Sequence, residues 1–166
     1  MNGSKLPVLS EFNYVIAKVN IGEKVYLADA TEKVYPFGML PERCLNGKGR
    51  VVGERSSYWI DLAPADIGKT LSVLSLVLGN DGVMRGTINT NFIGYDAVNK
   101  RSEILSHPSQ EAYIQDLKSS LGHIEIVGYE ISNLADVEKA VIRKLEIEIT
   151  AFDEMDVDNF LFNPFL

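Results

Sequence analysis

Residues 12–49 constrain the fold more than any other stretch, because a β-hairpin signal is followed there by an irregular segment. Residues 12–21 and 24–30 are rich in Val, Ile, Tyr and Ala, and the β-branched and aromatic members of this set favour strands. Between them, Gly22-Glu23 has the Gly-X form of a type II′ turn. The pattern therefore predicts two antiparallel strands joined by a two-residue turn.

The length of this turn decides which side chains meet. Counting outward from Gly22-Glu23 places Ile16 opposite Asp29, and Tyr14 opposite Thr31. Side chains alternate between the faces of a strand, so these four residues share one face. Tyr14 and Asp29 are then diagonal neighbours, with Cα atoms about 7–8 Å apart, within reach of a long aromatic side chain. A three-residue loop would move Asp29 to the opposite face.

The segment after the hairpin is punctuated by Pro and Gly and holds the only cysteine, Cys44. We expect Cys44 to be a small buried apolar side chain instead of a reactive thiol. Residues 46–49 (Asn-Gly-Lys-Gly) predict a turn. They do not form a phosphate loop, because the Gly-Lys-Ser/Thr element is missing.

Together, the motifs FN-x-VIA, YLADAT and PFGMLPERCLNGKGR resemble the C-terminal part of a transglutaminase-like cysteine-protease core. This core occurs in large exported bacterial proteins (Bacteroidetes type) of unknown function. The resemblance is strong over about residues 11–62 and looser beyond them. The family's catalytic triad is Cys, His and Asp. The resemblance implies that Asp29 stands at the aspartate position and that Tyr14 stands at the histidine position.

We expect no catalysis from this chain alone, so Tyr14 and Asp29 are vestigial triad positions. A phenol with a pKa of about 10 cannot take a proton from a thiol near neutral pH as an imidazole can. The helix that carries the family's nucleophile would lie upstream of Met1, and Cys44 follows the aspartate instead of preceding it. In this interpretation Asp29 accepts hydrogen bonds from the Tyr14 hydroxyl and from turn amides.

Two functions follow from the resemblance. The first is a non-catalytic structural or interaction module, a fragment of a larger transglutaminase-like protein. The alternative is the C-terminal part of a cysteine peptidase whose nucleophile lies upstream of this chain, with Asp29 orienting a relocated base and the LPERC loop lining the cleft. The resemblance implies a periplasmic or cell-surface location. It also implies that residues 153–166, acidic and then aromatic, lead into further strands, so that the chain is truncated at both ends.

The rest of the chain predicts an α+β fold of mostly antiparallel hairpins with one helical region at about residues 94–121. We expect residues 1–62 to be the C-terminal remnant of the transglutaminase-like core, containing the hairpin and the LPERC loop. Residues 63–166 would form a β-rich domain with a helical insertion. The predicted strands cover residues 50–53, 57–62, 69–79, 83–92, 123–131 and 140–152, and the helices cover 94–106 and 110–121.

Several local signals set the ends of these elements. Asn80-Asp81-Gly82 predicts a hairpin turn, Ser109 predicts a helix N-cap and Gly122 predicts a helix stop. In the first helix, Arg101 belongs to the polar side of the pattern. In the second, Tyr113 is part of an apolar stripe that recurs every three or four residues.

Composition excludes several classes of function. A net charge of −7 without a Lys/Arg cluster argues against nucleic acid as a partner. No apolar run reaches the roughly 18 residues of a membrane span. Two histidines and one cysteine are too few and too scattered for a zinc site, and no cofactor motif is present. The expected partners are other domains of the parent protein, with a peptide or a glycan as further candidates.

A third possibility is an adhesion or carbohydrate-binding sandwich. Such a module presents coplanar exposed aromatic rings, and the candidates are Tyr58, Trp59, Tyr95 and Tyr113. For Trp59, packing against the hairpin is the simpler interpretation. Burial of the four rings would remove this possibility.

Overall fold

The computed structural model describes residues 14–53, 56–64 and 67–150. The strands are β1 (Ala17–Ile21), β2 (Lys24–Ala28), β3 (Gly47–Val52), β4 (Ser57–Leu62), β5 (Lys69–Leu78), β6 (Val83–Ile93), β7 (Ile124–Ser132) and β8 (Val141–Thr150). The α-helices are α1 (Tyr95–Ser106) and α2 (Gln110–Ser120), and Glu42–Cys44 forms a short 3₁₀ helix. All strand pairs are antiparallel, which confirms the predicted α+β class.

The first hairpin has the predicted register. Ile21 pairs with Lys24 and Ala17 pairs with Ala28, so the turn contains two residues. Gly22 has φ +60°, the conformation that a type II′ turn requires at its first central position. The sequence signal at Gly22-Glu23 therefore positions Tyr14 and Asp29 as expected.

The second hairpin, β3–β4, begins earlier than predicted. Residues 46–49 were expected to form a turn, but Gly47 pairs with Leu62 and Gly49 pairs with Ile60. That prediction is wrong, because pairing with β4 extends the strand through the glycines. A Cβ atom on Gly49 would come within 3.2 Å of the Leu62 side chain, so the glycine leaves room for a buried leucine.

A four-stranded sheet in the order β5-β6-β8-β7 carries both helices. The buried side chains of the helices and of three strands form the larger core cluster (Met84, Phe92, Ala97, Ile104, Tyr113, Ile114, Ile126, Val141, Leu145, Ile147 and Ile149). The predicted helix ends are confirmed. Ser109 accepts a hydrogen bond from the Ala112 amide, and Gly122 has φ +60°. One face of the sheet is thus covered by α1 and α2.

Arg101 departs from its expected position on the polar side of α1. Its side chain is 1% exposed, and its guanidinium donates to the backbone carbonyls of Asn133, Leu134, Asp136 and Lys139 at 2.9–3.3 Å. These carbonyls belong to the loop between β7 and β8. Burial lowers the pKa of Arg101, and the charge of Asp136 opposes this shift. The arginine is buried because the planar donor fork satisfies carbonyls that the loop leaves unpaired.

A second, smaller core cluster lies among the first four strands. Leu40, Cys44 and Leu62 are buried in it, and partly buried side chains from the first hairpin and from β4 pack around them. Cys44 is 4% exposed and has no disulfide partner, which confirms its predicted burial. The division of the chain into domains at residue 63 stays a prediction.

The predictions for residues 153–166, for residues 151–152 as part of the last strand and for residues 12–13 as part of the first strand lie outside the described residues. In the part of the chain that the structure describes, no helix has the length and apolarity needed to cross a bilayer.

Candidate functional site

Tyr14 and Asp29 meet as the register predicted. The Tyr14 hydroxyl donates to Asp29 Oδ2 at 2.6 Å. The Thr31 amide donates to Asp29 Oδ1 at 2.9 Å, and the Thr31 hydroxyl donates to Oδ2 at 3.0 Å. The expected role of Asp29, accepting hydrogen bonds from the tyrosine and from a nearby amide, is confirmed. Its assignment as a vestigial catalytic position stays a prediction.

Arg43 completes this cluster, and sequence reasoning missed it. Arg43 Nη2 lies 2.7 Å from Thr31 Oγ1, 3.0 Å from the Tyr14 hydroxyl oxygen and 3.2 Å from Asp29 Oδ2. Its Nη1 donates to the Glu32 carboxylate, and its guanidinium carbon lies 5.3 Å from the centre of the Tyr14 ring. The arginine sits on the 3₁₀ helix, next to Cys44. We call Tyr14, Asp29, Thr31, Glu32 and Arg43 the polar clamp.

The clamp keeps a carboxylate ionised while hiding it from solvent. The side chain of Asp29 is 3% exposed, whereas that of Arg43 is 44% exposed. Burial by itself raises the pKa of Asp29. The hydrogen bonds from Tyr14 and Thr31 and the charge of Arg43 outweigh burial, so this pKa lies below the ordinary value of 3.8. Hydrogen bonds to Tyr14 and Glu32 raise the pKa of Arg43.

A cysteine peptidase needs a thiol nucleophile and an imidazole base, and the candidates Cys44, His107 and His123 are not part of the polar clamp. Burial, and next the negative charge of Asp29, raise the pKa of Cys44, which disfavours the nucleophilic thiolate. His107 Nδ1 lies 2.9 Å from the Glu103 carbonyl oxygen at the end of α1, and His123 directly precedes β7. Within the described residues, the hydrogen bonds to the Asp29 side chain come from Tyr14, Thr31 and Arg43.

This arrangement has a structural consequence and a chemical one. Structurally, Arg43 fastens the 3₁₀ helix to the end of the first hairpin. Chemically, Asp29 Oδ2 already accepts from three residues and Oδ1 accepts from the Thr31 amide, so a base would have to compete with these donors for a carboxylate that is 3% exposed. Orienting an imidazole requires a free carboxylate oxygen within hydrogen-bond distance of the ring.

A cleft of about 580 Å³ lies apart from the clamp, between the hairpin region and the start of α1. Tyr26, Phe37 and Met39 contribute to one side, and Tyr95 and Glu138 contribute to the other. The Tyr26 and Phe37 rings are 5.2 Å apart. Neither Asp29 nor Cys44 lines this cleft, so it is separate from the predicted site residues.

The four aromatic residues considered for a carbohydrate platform do not form one. Tyr95 and Tyr113 are buried, with exposed fractions of 7% and 2%. Trp59 is half-buried, and the Arg50 guanidinium lies 5.3 Å from its ring centre. Tyr58 is exposed. Tyr95 and Tyr113 fill the core, so a platform that combines all four rings is not formed, and Tyr58 and Trp59 are left as the candidates at the surface.

Comparison with known proteins identified no matching family model, no similar curated protein and no similar solved structure.

Proposed function

We propose that this chain is a non-catalytic structural and interaction module, in which the polar clamp maintains the shape of the N-terminal region. The observation that carries the proposal is the burial of the Asp29 carboxylate among donors that already bind it. Its carboxylate is 3% exposed and accepts hydrogen bonds from Tyr14, Thr31 and Arg43. A triad aspartate needs one of those positions for its histidine.

The small core cluster supports the same proposal. Leu40, three residues before Arg43, and Cys44, directly after it, are buried beside Leu62. The backbone around Arg43 is thus fixed by the apolar packing of Leu40 and Cys44, and its side chain is fixed by the hydrogen bonds of the polar clamp. This organisation favours a rigid scaffold, since opening the clamp to admit a substrate would also disturb the packing of Cys44.

The resemblance to the transglutaminase-like core suggests the origin of the polar clamp and the partners of the module. If the chain derives from such a protein, Tyr14 and Asp29 are the remains of its histidine and aspartate, and its partners are other domains of that protein. The competing proposal, an upstream nucleophile with a relocated base, requires that base to displace Tyr14 or Arg43 from Asp29. The short contact of 2.6 Å between Tyr14 and Asp29 favours the non-catalytic function.

A thiol-accessibility experiment on the purified chain tests the proposal. Cys44 should react slowly with an aromatic disulfide reagent in the native state and rapidly in denaturant, because it is 4% exposed. We expect no thiol-dependent hydrolysis or transamidation of casein-type substrates. A Cys44→Ala variant provides the control.

Peptidase activity that alkylation abolishes, and that both Cys44→Ala and Asp29→Asn remove, would overturn the proposal. Rapid native-state labelling of Cys44 would show that the thiol is open to solvent and would contradict the rigid packing on which the proposal rests.

A further inference from the structure

Strand β5 is an edge strand of the four-stranded sheet that the described residues form. Within the described residues it pairs with β6 on one side only. Its exposed apolar side chains are Leu71, Val73, Leu74, Val77 and Leu78, with exposed fractions of 42–73%. Charged residues are absent from Thr70 to Leu78. An edge strand of this length and apolarity is a template for pairing with another strand.

The opposite edge of the same sheet, β7, is protected against pairing with another strand, so the two edges of the sheet differ. β7 has a bulge between Ile126 and Gly128 and carries Glu125 and Glu130 as exposed charges. By contrast, β5 pairs with β6 without a register shift over its whole length. Bulges and charges are the devices that prevent edge-to-edge association. β7 has both a bulge and exposed charges, whereas β5 has no bulge and no charged residue from Thr70 to Leu78.

We propose that β5 pairs antiparallel with β5 of a second copy of this chain, forming a two-fold symmetric dimer with a continuous eight-stranded sheet. A two-fold axis normal to the sheet keeps each face on its own side. With the axis at Leu74, Leu71 lies opposite Val77 of the second copy, and Thr70 lies opposite Leu78. The helices of both copies then cover the same face of the joined sheet.

The apolar residues match this symmetry. Leu71, Val73 and Val77 lie on the face of β5 away from the helices, since their partners on β6 are the exposed Asn91, Asn89 and Arg85. Leu74 and Leu78 lie on the helix-covered face, opposite Ile88 and Met84, yet both remain 42% exposed. Pairing with a second copy places apolar side chains of that copy beside these residues on both faces of β5.

Charge complementarity favours a second copy over an unrelated strand. Lys69 stands at the start of β5, and Asp81 lies in the turn just beyond its end, where its carboxylate also forms an ion pair with Arg85 at 2.9 Å. In the proposed pairing, Lys69 lies opposite Gly79 of the second copy, two residues from Asp81. The symmetry produces this Lys–Asp approach at both ends of the interface. The polar clamp plays no part in this inference, which stands or falls independently of the proposed function.

Sedimentation equilibrium of the full 166-residue chain tests the dimer, and Val73→Lys is the decisive variant. Val73 is 62% exposed, so the lysine leaves the monomer fold intact. In the dimer the two copies of the lysine become diagonal neighbours on one face of the joined sheet and repel each other. We expect a dimer at micromolar concentration, weakened at least about tenfold by Val73→Lys. Val127→Lys is the matched control, because Val127 is 54% exposed on the other edge strand, and it should dimerise like the parent chain.

Cysteine cross-linking tests the register. Under copper-phenanthroline oxidation, Leu74→Cys should yield a disulfide-linked dimer, whereas Leu71→Cys and the parent chain should not. A chain that is monomeric at the highest soluble concentration, or whose dimer tolerates Val73→Lys, would overturn the proposal. So would a full-length monomer that dimerises only after removal of residues 151–166, because the chain's own C-terminal segment would then occupy β5.

Discussion

At the residue scale, the polar clamp depends on how Asp29 is surrounded. Four hydrogen bonds reach its carboxylate, from the Tyr14 hydroxyl, the Thr31 amide and hydroxyl, and Arg43 Nη2. Hydrogen bonds to a charged group stabilise a fold more than hydrogen bonds between neutral groups. A buried charged group that loses its hydrogen-bond partners destabilises the fold further, because its desolvation is no longer compensated. The stability that Asp29 contributes to the N-terminal region therefore depends on its ionisation, and so on pH.

Replacing Asp29 with Asn should reveal this sensitivity. The pKa of Asp29 lies below 3.8 in the folded state. Ionised Asp29 therefore stabilises the fold above that pH, and the stabilisation is lost as the pH falls through the folded-state pKa. We expect Asp29→Asn to lower the free energy of unfolding by about 2 kcal/mol at neutral pH, and the difference should shrink in acid. Urea titrations across this range measure it.

Asp61→Asn is the control for that titration, because the Asp61 side chain is 77% exposed and its ion pair with Lys48 is long, at 3.8 Å. It should change stability little at any pH. A loss of stability in Asp29→Asn that stays constant from neutral to strongly acidic pH would contradict the role of the ionised carboxylate.

At the element scale, local signals specify the hairpins and helix ends, while the close approach of neighbouring strands restricts which residues fit between them. Gly86 on β6 shows this. A Cβ atom at Gly86 would overlap the backbone carbonyl oxygen of Ser75 on β5, so the two strands approach more closely there than a side chain permits. β5 can lie this close to β6 only because this position is a glycine.

Gly86→Ala should therefore destabilise the protein by about 2–4 kcal/mol and increase amide hydrogen exchange along β5. Gly122→Ala is a matched control, since Gly122 has φ +60° but no atom lies within 4 Å of the added Cβ. Its cost should be about 1 kcal/mol, from backbone strain alone. Equal losses in the two variants, or unchanged exchange in β5, would show that β5 does not approach Gly86 this closely.

At the scale of the whole molecule, hydrogen bonds connect the hairpin region with the helix-covered sheet. The Tyr95 hydroxyl donates to the buried Leu40 carbonyl at 2.6 Å, and the Phe37 amide donates to Glu138 Oε1 at 3.0 Å. Glu138 lies on the β7–β8 loop whose carbonyls Arg101 binds. Arg101 thus supports, through this loop, the hydrogen bond between Phe37 and Glu138.

Tyr95→Phe tests the first connection. Removing the hydroxyl leaves the Leu40 carbonyl buried without its donor, so we expect a loss of about 1–2 kcal/mol and faster amide exchange in residues 36–45. Tyr129→Phe is the control, because the Tyr129 hydroxyl donates to the exposed Glu111 carboxylate at 3.0 Å and should matter much less. Faster exchange throughout β7 and β8, with residues 36–45 unaffected, would contradict this connection.

The sequence by itself determined the parts of this protein that depend on neighbouring residues. A Gly-X turn and strand alternation specify the register that brings Tyr14 to Asp29, and a serine side chain specifies the start of α2. Each signal acts within a few residues, where backbone sterics and hydrogen bonding leave few alternatives. The resemblance to the transglutaminase-like core, and the location it implies, remain predictions.

Only the tertiary structure decided the rest. Arg43 reaches Asp29 across an irregular segment, Arg101 is buried by a loop more than thirty residues away, and β6 pairs with the distant β8. No local pattern distinguishes an arginine that will be exposed from one that will meet buried carbonyls or a carboxylate. These contacts exist because the packed sheet and helices bring remote backbone and charge together, and their energies depend on that burial.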